Sequence, residues 1–377
     1  MSTQSIFATQ AERLRCVIAS LGGGTTAPGS QQDAAFNQLA LETFSLQWQH
    51  NPAYRLWCDA LGVQPGAVNH WSQVPAVPAT AFKDFEMTCL PAGERFRVFH
   101  SSGTTEQRPG RHFHHAASLA LYEDSLHAWF RHCVRTAVGQ PRLVSLTPVS
   151  GDVPTSSLVH MFDTLGREAG FERATFCGQV ASDRSWSLDA DAVISALREV
   201  IAAEAPVLLV GTAFNHVHLL DDFAARGLTF NLPRGSRVLE TGGYKGRSRV
   251  LSKSELHRAI RLAFSITADQ IVCEYGMSEL SSQAYDVGPW LRDCDASAPR
   301  AFRFPPWARA IIVSPEDGRE VADGRTGRVR IHDLANLWSV AAVQTDDLAV
   351  RRGDGFELIG RATEAEARGC SLMSLRG

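Results

Sequence analysis

The chain has 377 residues, 44% apolar and 20% charged, with 37 basic and 40 acidic residues and a formal net charge of -3. This is the composition of a soluble globular protein large enough for one big domain or two. It excludes the basic surface of a nucleic-acid binder and a polybasic membrane patch, and no run of 18 apolar residues offers a transmembrane helix.

Residues 1–92 read as mostly helical, with apolar groups at helical spacing from Ala34 to Asn51. Met1-Ser-Thr-Gln-Ser-Ile-Phe-Ala has neither a basic n-region nor an apolar h-region, so no secretory signal is expected. Pro75-Ala-Val-Pro-Ala-Thr-Ala-Phe-Lys-Asp-Phe is a proline-punctuated, extended connector. The β-prone run Phe96-Arg-Val-Phe-His100 then leads into Ser101-Ser102-Gly103-Thr104-Thr105, and a long helix is expected from near Ala116. A strand, a hydroxyl- and glycine-rich turn and a helix can wrap a phosphate. Gly103 lets the backbone approach the anion, and N–H groups and hydroxyls donate to its oxygens. No Gly-Lys-Ser/Thr follows, so this is not the usual P-loop. Taken alone, the segment is better read as a polar loop.

From 94 to about 290 strands and helices alternate. Leu143-Val-Ser-Leu, Pro206-Val-Leu-Leu-Val-Gly211, Ser236-Arg-Val-Leu-Glu240 and Ile271-Val-Cys-Glu-Tyr275 are strand runs. Helices are predicted from Ser156 to Glu168, Ala213 to Arg226 and Ser252 to Phe264, the last opened by the capping box Ser252-Lys-Ser-Glu255. Such alternation implies crossover units and a mainly parallel sheet. After about 300 the character changes. Ala310-Ile-Ile-Val313, Gly327-Arg-Val-Arg-Ile-His332, Ala341-Ala-Val-Gln-Thr345 and Phe356-Glu-Leu-Ile359 are short strands, with turns at Glu316-Asp-Gly318 and Gly353-Asp-Gly355. The expected organisation is a helical region at 1–92, an α/β nucleotide-binding body at 93–300 and a β-rich subdomain with the tail at 301–377.

The eight cysteines are scattered with no C-x-x-C pair, so reduced thiols in a cytoplasm fit better than a zinc site or a disulfide framework. His112-Phe-His114-His115 and His216-x-His218 lack an accompanying Cys/His cluster and are read as ordinary histidines.

Three further segments lie at or near predicted strand ends, the edge at which open α/β sheets bind ligands. They are Glu240-Thr-Gly-Gly-Tyr-Lys-Gly246, Glu274-Tyr-Gly-Met-Ser-Glu279, and Thr345-Asp-Asp-Leu348 followed by Gly360-Arg361. Gly242 and Gly243 allow a flat ring near the backbone, and Tyr275 offers a stacking face. Glu279 is a hard carboxylate of the kind Mg²⁺ accepts beside phosphates. Asp347 and Arg361 suit sugar hydroxyls. With the hydroxyl-rich loop, these are the parts of an ATP site without a P-loop.

The order of these segments resembles the adenylate-forming superfamily of acyl-CoA ligases and firefly luciferase. The closer resemblance is to the acyl-protein synthetases of bacterial bioluminescence operons, the LuxE type. Five stretches carry it: Val74-Pro-Ala-Val-Pro-Ala-Thr-Ala-Phe-Lys, Phe99-His-Ser-Ser-Gly-Thr-Thr, Glu240-Thr-Gly-Gly-Tyr-Lys-Gly-Arg-Ser-Arg249, Glu274-Tyr-Gly-Met-Ser-Glu-Leu280 and Arg368-Gly-Cys-Ser-Leu372. The resemblance spans about residue 35 to the C-terminus. It implies an α/β fold like the N-terminal domain of adenylate-forming enzymes, mainly parallel sheets with crossover helices plus a small β-rich C-terminal subdomain.

The resemblance also implies roles. Ser101, Ser102, Gly103, Thr104 and Thr105 form the phosphate loop, and Gly242 and Gly243 line the adenine slot. Tyr275 stacks on adenine or caps its pocket. Ser278 touches the α-phosphate, Glu279 ligates Mg²⁺, and Asp347 and Arg361 hold the ribose. Cys370 matches the cysteine that accepts the acyl group. The implied reaction activates a carboxylic acid with Mg·ATP to an acyl-adenylate. Its acyl group then passes to Cys370 for a partner reductase, or alternatively to CoA or a carrier-protein thiol; a non-catalytic nucleotide-binding subunit is a third reading. The chain departs from the superfamily in three places, one of them Thr345-Asp346-Asp347 where the superfamily has Thr-Gly-Asp. Thr105-Glu-Gln-Arg-Pro-Gly110 replaces the lysine-bearing phosphate loop of many ligases, leaving Arg108 or Arg111 to supply the charge. The superfamily's mobile C-terminal domain, with its catalytic lysine, has no counterpart after Gly360-Arg361.

Overall fold

The structure is a computed structural model that describes residues 3–21, 30–101, 108–134, 140–167, 170–183, 185–242, 251–287 and 300–361. In chain order, α1 (Thr3–Ser20), α2 (Ser30–His50) and α3 (Pro52–Ala60) come first. Strand β1 (Val77–Pro78), the single turn α4 (Ala81–Asp84), strands β2 (Arg97–His100) and β3 (Arg111–His114) and helix α5 (Ala116–Val134) follow. Next are β4 (Arg142–Ser145), α6 (Ser157–Gly166), β5 (Ala174–Phe176), β6 (Gly178–Val180), β7 (Trp186–Leu188) and α7 (Ala190–Ala202). Then come β8 (Val207–Thr212), α8 (Ala213–Arg226), β9 (Arg237–Thr241), α9 (Lys253–Phe264), β10 (Ile271–Tyr275) and β11 (Ala284–Tyr285). The last strands are β12 (Ala308–Val313), β13 (Thr326–Asp333), β14 (Ala342–Arg352) and β15 (Gly355–Arg361).

The chain divides into two compact units, one formed by 1–129, 277–284 and 293–377, the other by 130–276 and 285–292. The second unit is built on a sheet in the order β11-β10-β9-β8-β4-β5. Strands β10, β9, β8, β4 and β5 pair in parallel throughout. Central β8 is buried along its whole length, which is why Val-Leu-Leu-Val carries no polar alternation. Val193, Leu197 and Val200 of α7, Val217 and Phe223 of α8, and Leu256, Ile260 and Phe264 of α9 join Val144, Leu209 and Val238 in one apolar core. Each helix starts on a side-chain cap. Asp189 accepts from the Ala192 N–H, Thr212 forms a capping box with Asn215, and Ser252 forms one with Glu255 as the sequence predicts. Residues 174–202 hold β5, β6, β7 and α7, which the sequence reading does not assign; the three strands are three residues each, too short for a visible period.

The first unit carries a sheet in the order β1-β14-β13-β12, with β15 also on β14. Its strands are antiparallel except for β1, which pairs with β14 in parallel through Val77–Val343 and Pro78–Gln344. Helix α2 is tied to this β-rich part. Gln47 Nε2 donates to the carbonyls of Asn336 and Leu337 at 2.9 and 3.1 Å, and Gln47 Oε1 accepts from the Ala341 N–H at 2.9 Å.

One sequence expectation changes here. The segment after Ser101 does not run from a strand into a helix. Strands β2 and β3 pair antiparallel from Arg97–His114 to His100–Arg111, and α5 begins only after β3. The next described element after β2 is therefore its antiparallel partner β3 and not a helix. The run Arg-His-Phe-His hides its alternation because the buried members, His112 and His114, are polar by type.

Candidate active site

Ser101 and Gly110 extend the β2–β3 pairing one step beyond His100 and Arg111. The Ser101 N–H donates to the Gly110 carbonyl at 3.0 Å, and the Gly110 N–H donates to Ser101 Oγ at 2.7 Å. Gly110 leaves little space for a side chain. A β-carbon there would lie 2.9 Å from Ser101 Oγ, 3.0 Å from Glu279 Oε1 and 3.4 Å from Phe82 Cβ. The glycine thus sets the end of this pairing directly against the Glu279 carboxylate. Ser102, Gly103, Thr104 and Thr105 lie outside the described residues.

Glu279 is buried, and its position is fixed from several sides. Ser278 Oγ donates to Glu279 Oε2 at 3.2 Å. His112, buried on β3, donates from Nδ1 to the Ser278 carbonyl at 2.8 Å. Burial holds the His112 pKa down at about 4, so the ring stays neutral and the Nδ1–H tautomer serves the carbonyl. Asn336 Nδ2 donates to the Glu279 carbonyl at 2.7 Å and to the Val340 carbonyl at 3.2 Å, while its Oδ1 accepts from Ser281 Oγ at 2.6 Å. Asp333 accepts from the Ser281 N–H at 2.8 Å and from Ser282 Oγ at 2.7 Å. Sequence reasoning missed His112, Asn336 and Asp333. The only available signal was their polar type within otherwise apolar runs.

Burial raises the Glu279 pKa, opposed in smaller measure by its own backbone N–H, by Ser278 and by the charges of Arg361 and Lys83. A carboxylate kept out of water beside a polar loop fits a divalent cation, whose charge offsets the desolvation. Hard carboxylate oxygens are of the kind that Mg²⁺ accepts.

Asp347 and Arg361 pair in register across β14 and β15, with Arg361 Nε 3.6 Å from Asp347 Oδ1. The structure thus brings Ser101, Ser278, Glu279, Asp347 and Arg361 into the first unit.

Gly242 and Tyr275 belong to the second unit. Thr241 of β9 is paired with Glu274 of β10, and each of the two residues lies one step beyond that pair, at the C-terminal edge of adjacent parallel strands. Gly242 is exposed and Tyr275 is buried. Gly243 lies outside the described residues, as does Cys370.

A cluster beneath this edge was not foreseen. Cys273 Sγ donates to Glu240 Oε1 at 3.0 Å, and His257 Nε2 is 3.4 Å from the same oxygen and 3.5 Å from the sulfur. Among the described residues these three form the one group spaced to hold a metal ion. The Lys253 ammonium, 3.3 Å from Asp286 Oδ2, lies close enough to hydrogen-bond Cys273 and already supplies positive charge there. Burial pushes the thiol well above its usual range. The set is a hydrogen-bonded cluster around a thiol that burial keeps protonated. His216, which is buried nearby, is hydrogen-bonded to the Leu239 carbonyl at 3.1 Å.

Comparison with known proteins converges on one family. The model described as "Acyl-protein synthetase, LuxE" matches residues 26–376. The long-chain-fatty-acid–luciferin-component ligase of Vibrio harveyi is 21% identical over 365 residues, 91% of this chain and 88% of that protein. Among solved structures, 2-hydroxyisobutyryl-CoA ligase with 2-HIB-AMP and CoA superposes with a TM-score of 0.66 at 16% identity, over 89% of this chain and 69% of that one. The same ligase in its postadenylation state with 2-HIB-AMP gives 0.64 at 14% identity, over 90% and 73%. These likenesses bear out the α/β fold expected from the sequence. No helix among the described residues is long and apolar enough to cross a membrane.

Proposed function

This chain belongs to the LuxE acyl-protein synthetase family and is an adenylate-forming ligase, which activates an acid as its acyl-adenylate; from that premise we propose that it uses Mg·ATP to activate a fatty acid and passes the acyl group to its own Cys370, for delivery to a partner reductase. The observation that supports an ATP phosphate site is the contact at Gly110, where the start of the hydroxyl-rich segment and the buried Glu279 carboxylate come so close that a β-carbon would press on both.

A carboxylate oxygen of the acid attacks the α-phosphorus, the bond to the bridging oxygen breaks, and pyrophosphate leaves. The protein's work is alignment and neutralisation of charge. Ser101 and the loop residues Ser102, Gly103, Thr104 and Thr105 donate to the phosphates, and Ser278 to the α-phosphate. Glu279 is the residue that would hold Mg²⁺, whose charge neutralises phosphate oxygens. Gly242, Gly243 and Tyr275 receive adenine, and Asp347 and Arg361 the ribose. The Cys370 thiolate then attacks the acyl carbonyl carbon and AMP leaves, giving a thioester.

Acid-dependent ATP–pyrophosphate exchange over a panel of acids tests the first half-reaction and names the substrate. Intact-mass analysis after incubation with ATP and the best acid tests the second. An acyl adduct on the protein supports transfer to a cysteine. Exchange without an adduct, with acylation of added CoA or a carrier thiol, replaces Cys370 by an external acceptor.

A further inference from the structure

Of the chain's 37 basic residues, 34 are arginine and three are lysine: Lys83, Lys245 and Lys253. Lysine differs from arginine in offering a compact, strongly hydrated charge with rotatable donors rather than a planar fork. Lys253 is engaged by Asp286, and Lys245 lies outside the described residues. Lys83 ends the Val-Pro-Ala-Val-Pro-Ala-Thr-Ala-Phe-Lys stretch, to which no role has been given.

That stretch is anchored at the active site. Strand β1 pairs in parallel with β14, and the Ala79 N–H donates to the Gln344 carbonyl at 2.9 Å, three residues before Asp347. The chain then turns into α4, and the buried Phe82 packs where Gly110 leaves room, 3.4 Å from the missing β-carbon. The Phe82 ring also meets the His112 ring edge-on at 6.2 Å. Lys83 is the next residue, with a half-buried side chain. It lies near enough to the Glu279 carboxylate to act on it electrostatically, as Arg361 does. Ser101, Gly110, Glu279 and Lys83 therefore converge within one unit.

Resting on the adenylation reading above, we propose that Lys83 is a catalytic residue whose ammonium contacts the ATP phosphates directly. It brings a positive charge to the side of the site formed by Gly110 and Glu279. During attack of the acid on the α-phosphorus, this cation stabilises the charge passing to the departing pyrophosphate. No proton changes hands at Lys83.

The test compares wild type, Lys83→Met and Lys83→Arg by equilibrium binding of ATP and of uncharged adenosine, each with Mg²⁺ and in EDTA. Circular dichroism and thermal unfolding check that the variants are folded. Lys83→Met should bind ATP at least about tenfold more weakly under both metal conditions and bind adenosine as wild type does. Lys83→Arg should regain part of the ATP affinity without restoring the exchange rate. Equal ATP affinity in wild type and a folded Lys83→Met overturns the proposal. So does a loss seen only with Mg²⁺, which would mean that Lys83 acts through Glu279 rather than on the phosphates. Failure of the adenylation reading looks different: wild type itself would give no pyrophosphate exchange with any acid.

Discussion

Asn336 reaches 57 residues back along the chain to donate from Nδ2 to the Glu279 carbonyl at 2.7 Å. The same amide also serves the Val340 carbonyl and Ser281 Oγ, so its donors and acceptor are all used. Asn336→Leu keeps the volume and removes every one of these bonds. Leaving buried partners unsatisfied costs about 1–3 kcal/mol each. The variant should unfold at a clearly lower temperature. At a temperature where it is still folded, pyrophosphate exchange should show a reduced kcat, because the carboxylate is no longer held in place. A wild-type kcat in the folded variant would reduce Asn336 to a structural role.

Glu279→Gln separates function from stability. Burial disfavours the ionised carboxylate, so replacing it with a neutral amide of the same shape should leave thermal stability unchanged or slightly raised. Exchange should fall by about 10²-fold or more, the scale for losing one charge-stabilising group. Exchange close to wild type would remove Glu279 from the site.

Gly110→Ala introduces a β-carbon where the site leaves little space. Its nearest neighbours are the Ser101 hydroxyl and the Glu279 carboxylate end, both able to shift by a few tenths of an ångström. The variant should fold, with a cost of about 1–3 kcal/mol as in other overpacked sites. Its ATP affinity and exchange rate should fall together, because the displaced groups are the proposed ligands. Unchanged kinetics would show that the contact is packing alone.

Glu274 gives the fold a pH dependence. It is buried on β10 near Glu240, and desolvation followed by that like charge raises its pKa from 4.5 to about 8. The folded state then holds a proton that the unfolded chain has released. Between these values the unfolded state binds fewer protons, so stability declines as pH rises from about 4.5 to about 8 and levels off above. Glu274→Gln has no such proton. It should be more stable than wild type at pH 8.5 and differ little at pH 5, read as midpoints of urea unfolding. An equal difference at the two pH values would contradict the assignment.

Cys370→Ser separates adenylation from transfer. Forming the adenylate needs no thiol, so exchange should match wild type, whereas the hydroxylamine-labile acyl group on the protein should vanish. In wild type that group should map to the tryptic peptide containing Cys370. Acylation of the variant to the wild-type level would move the acceptor to another cysteine.

The sequence by itself determined β4, α6, β8, α8, β9, α9 and β10 of the second unit and the short strands after 300, but not β5, β6, β7, α7 or β11. Continuous apolar runs such as Val207–Val210, helical spacing and the Ser252–Glu255 capping box are local patterns set by chain geometry. It also singled out Glu279, Gly242, Tyr275, Asp347 and Arg361, since a catalytic residue type beside a strand-end glycine or turn stands out against a core pattern. What only the tertiary structure decided is how these pieces combine. The hairpin of β2 and β3 was hidden because its buried positions are histidines, so polarity gave no period of two. The pairing of β1 with β14, the reach of Asn336 to Glu279 and the wedge at Gly110 join segments far apart in the chain. Hydrogen bonds and van der Waals exclusion act through space, and the sequence carries no register for partners brought together only by folding. The same limit applied to Lys83: its scarcity could be counted in the sequence, but its approach to Glu279 exists only once β1 has added to the sheet.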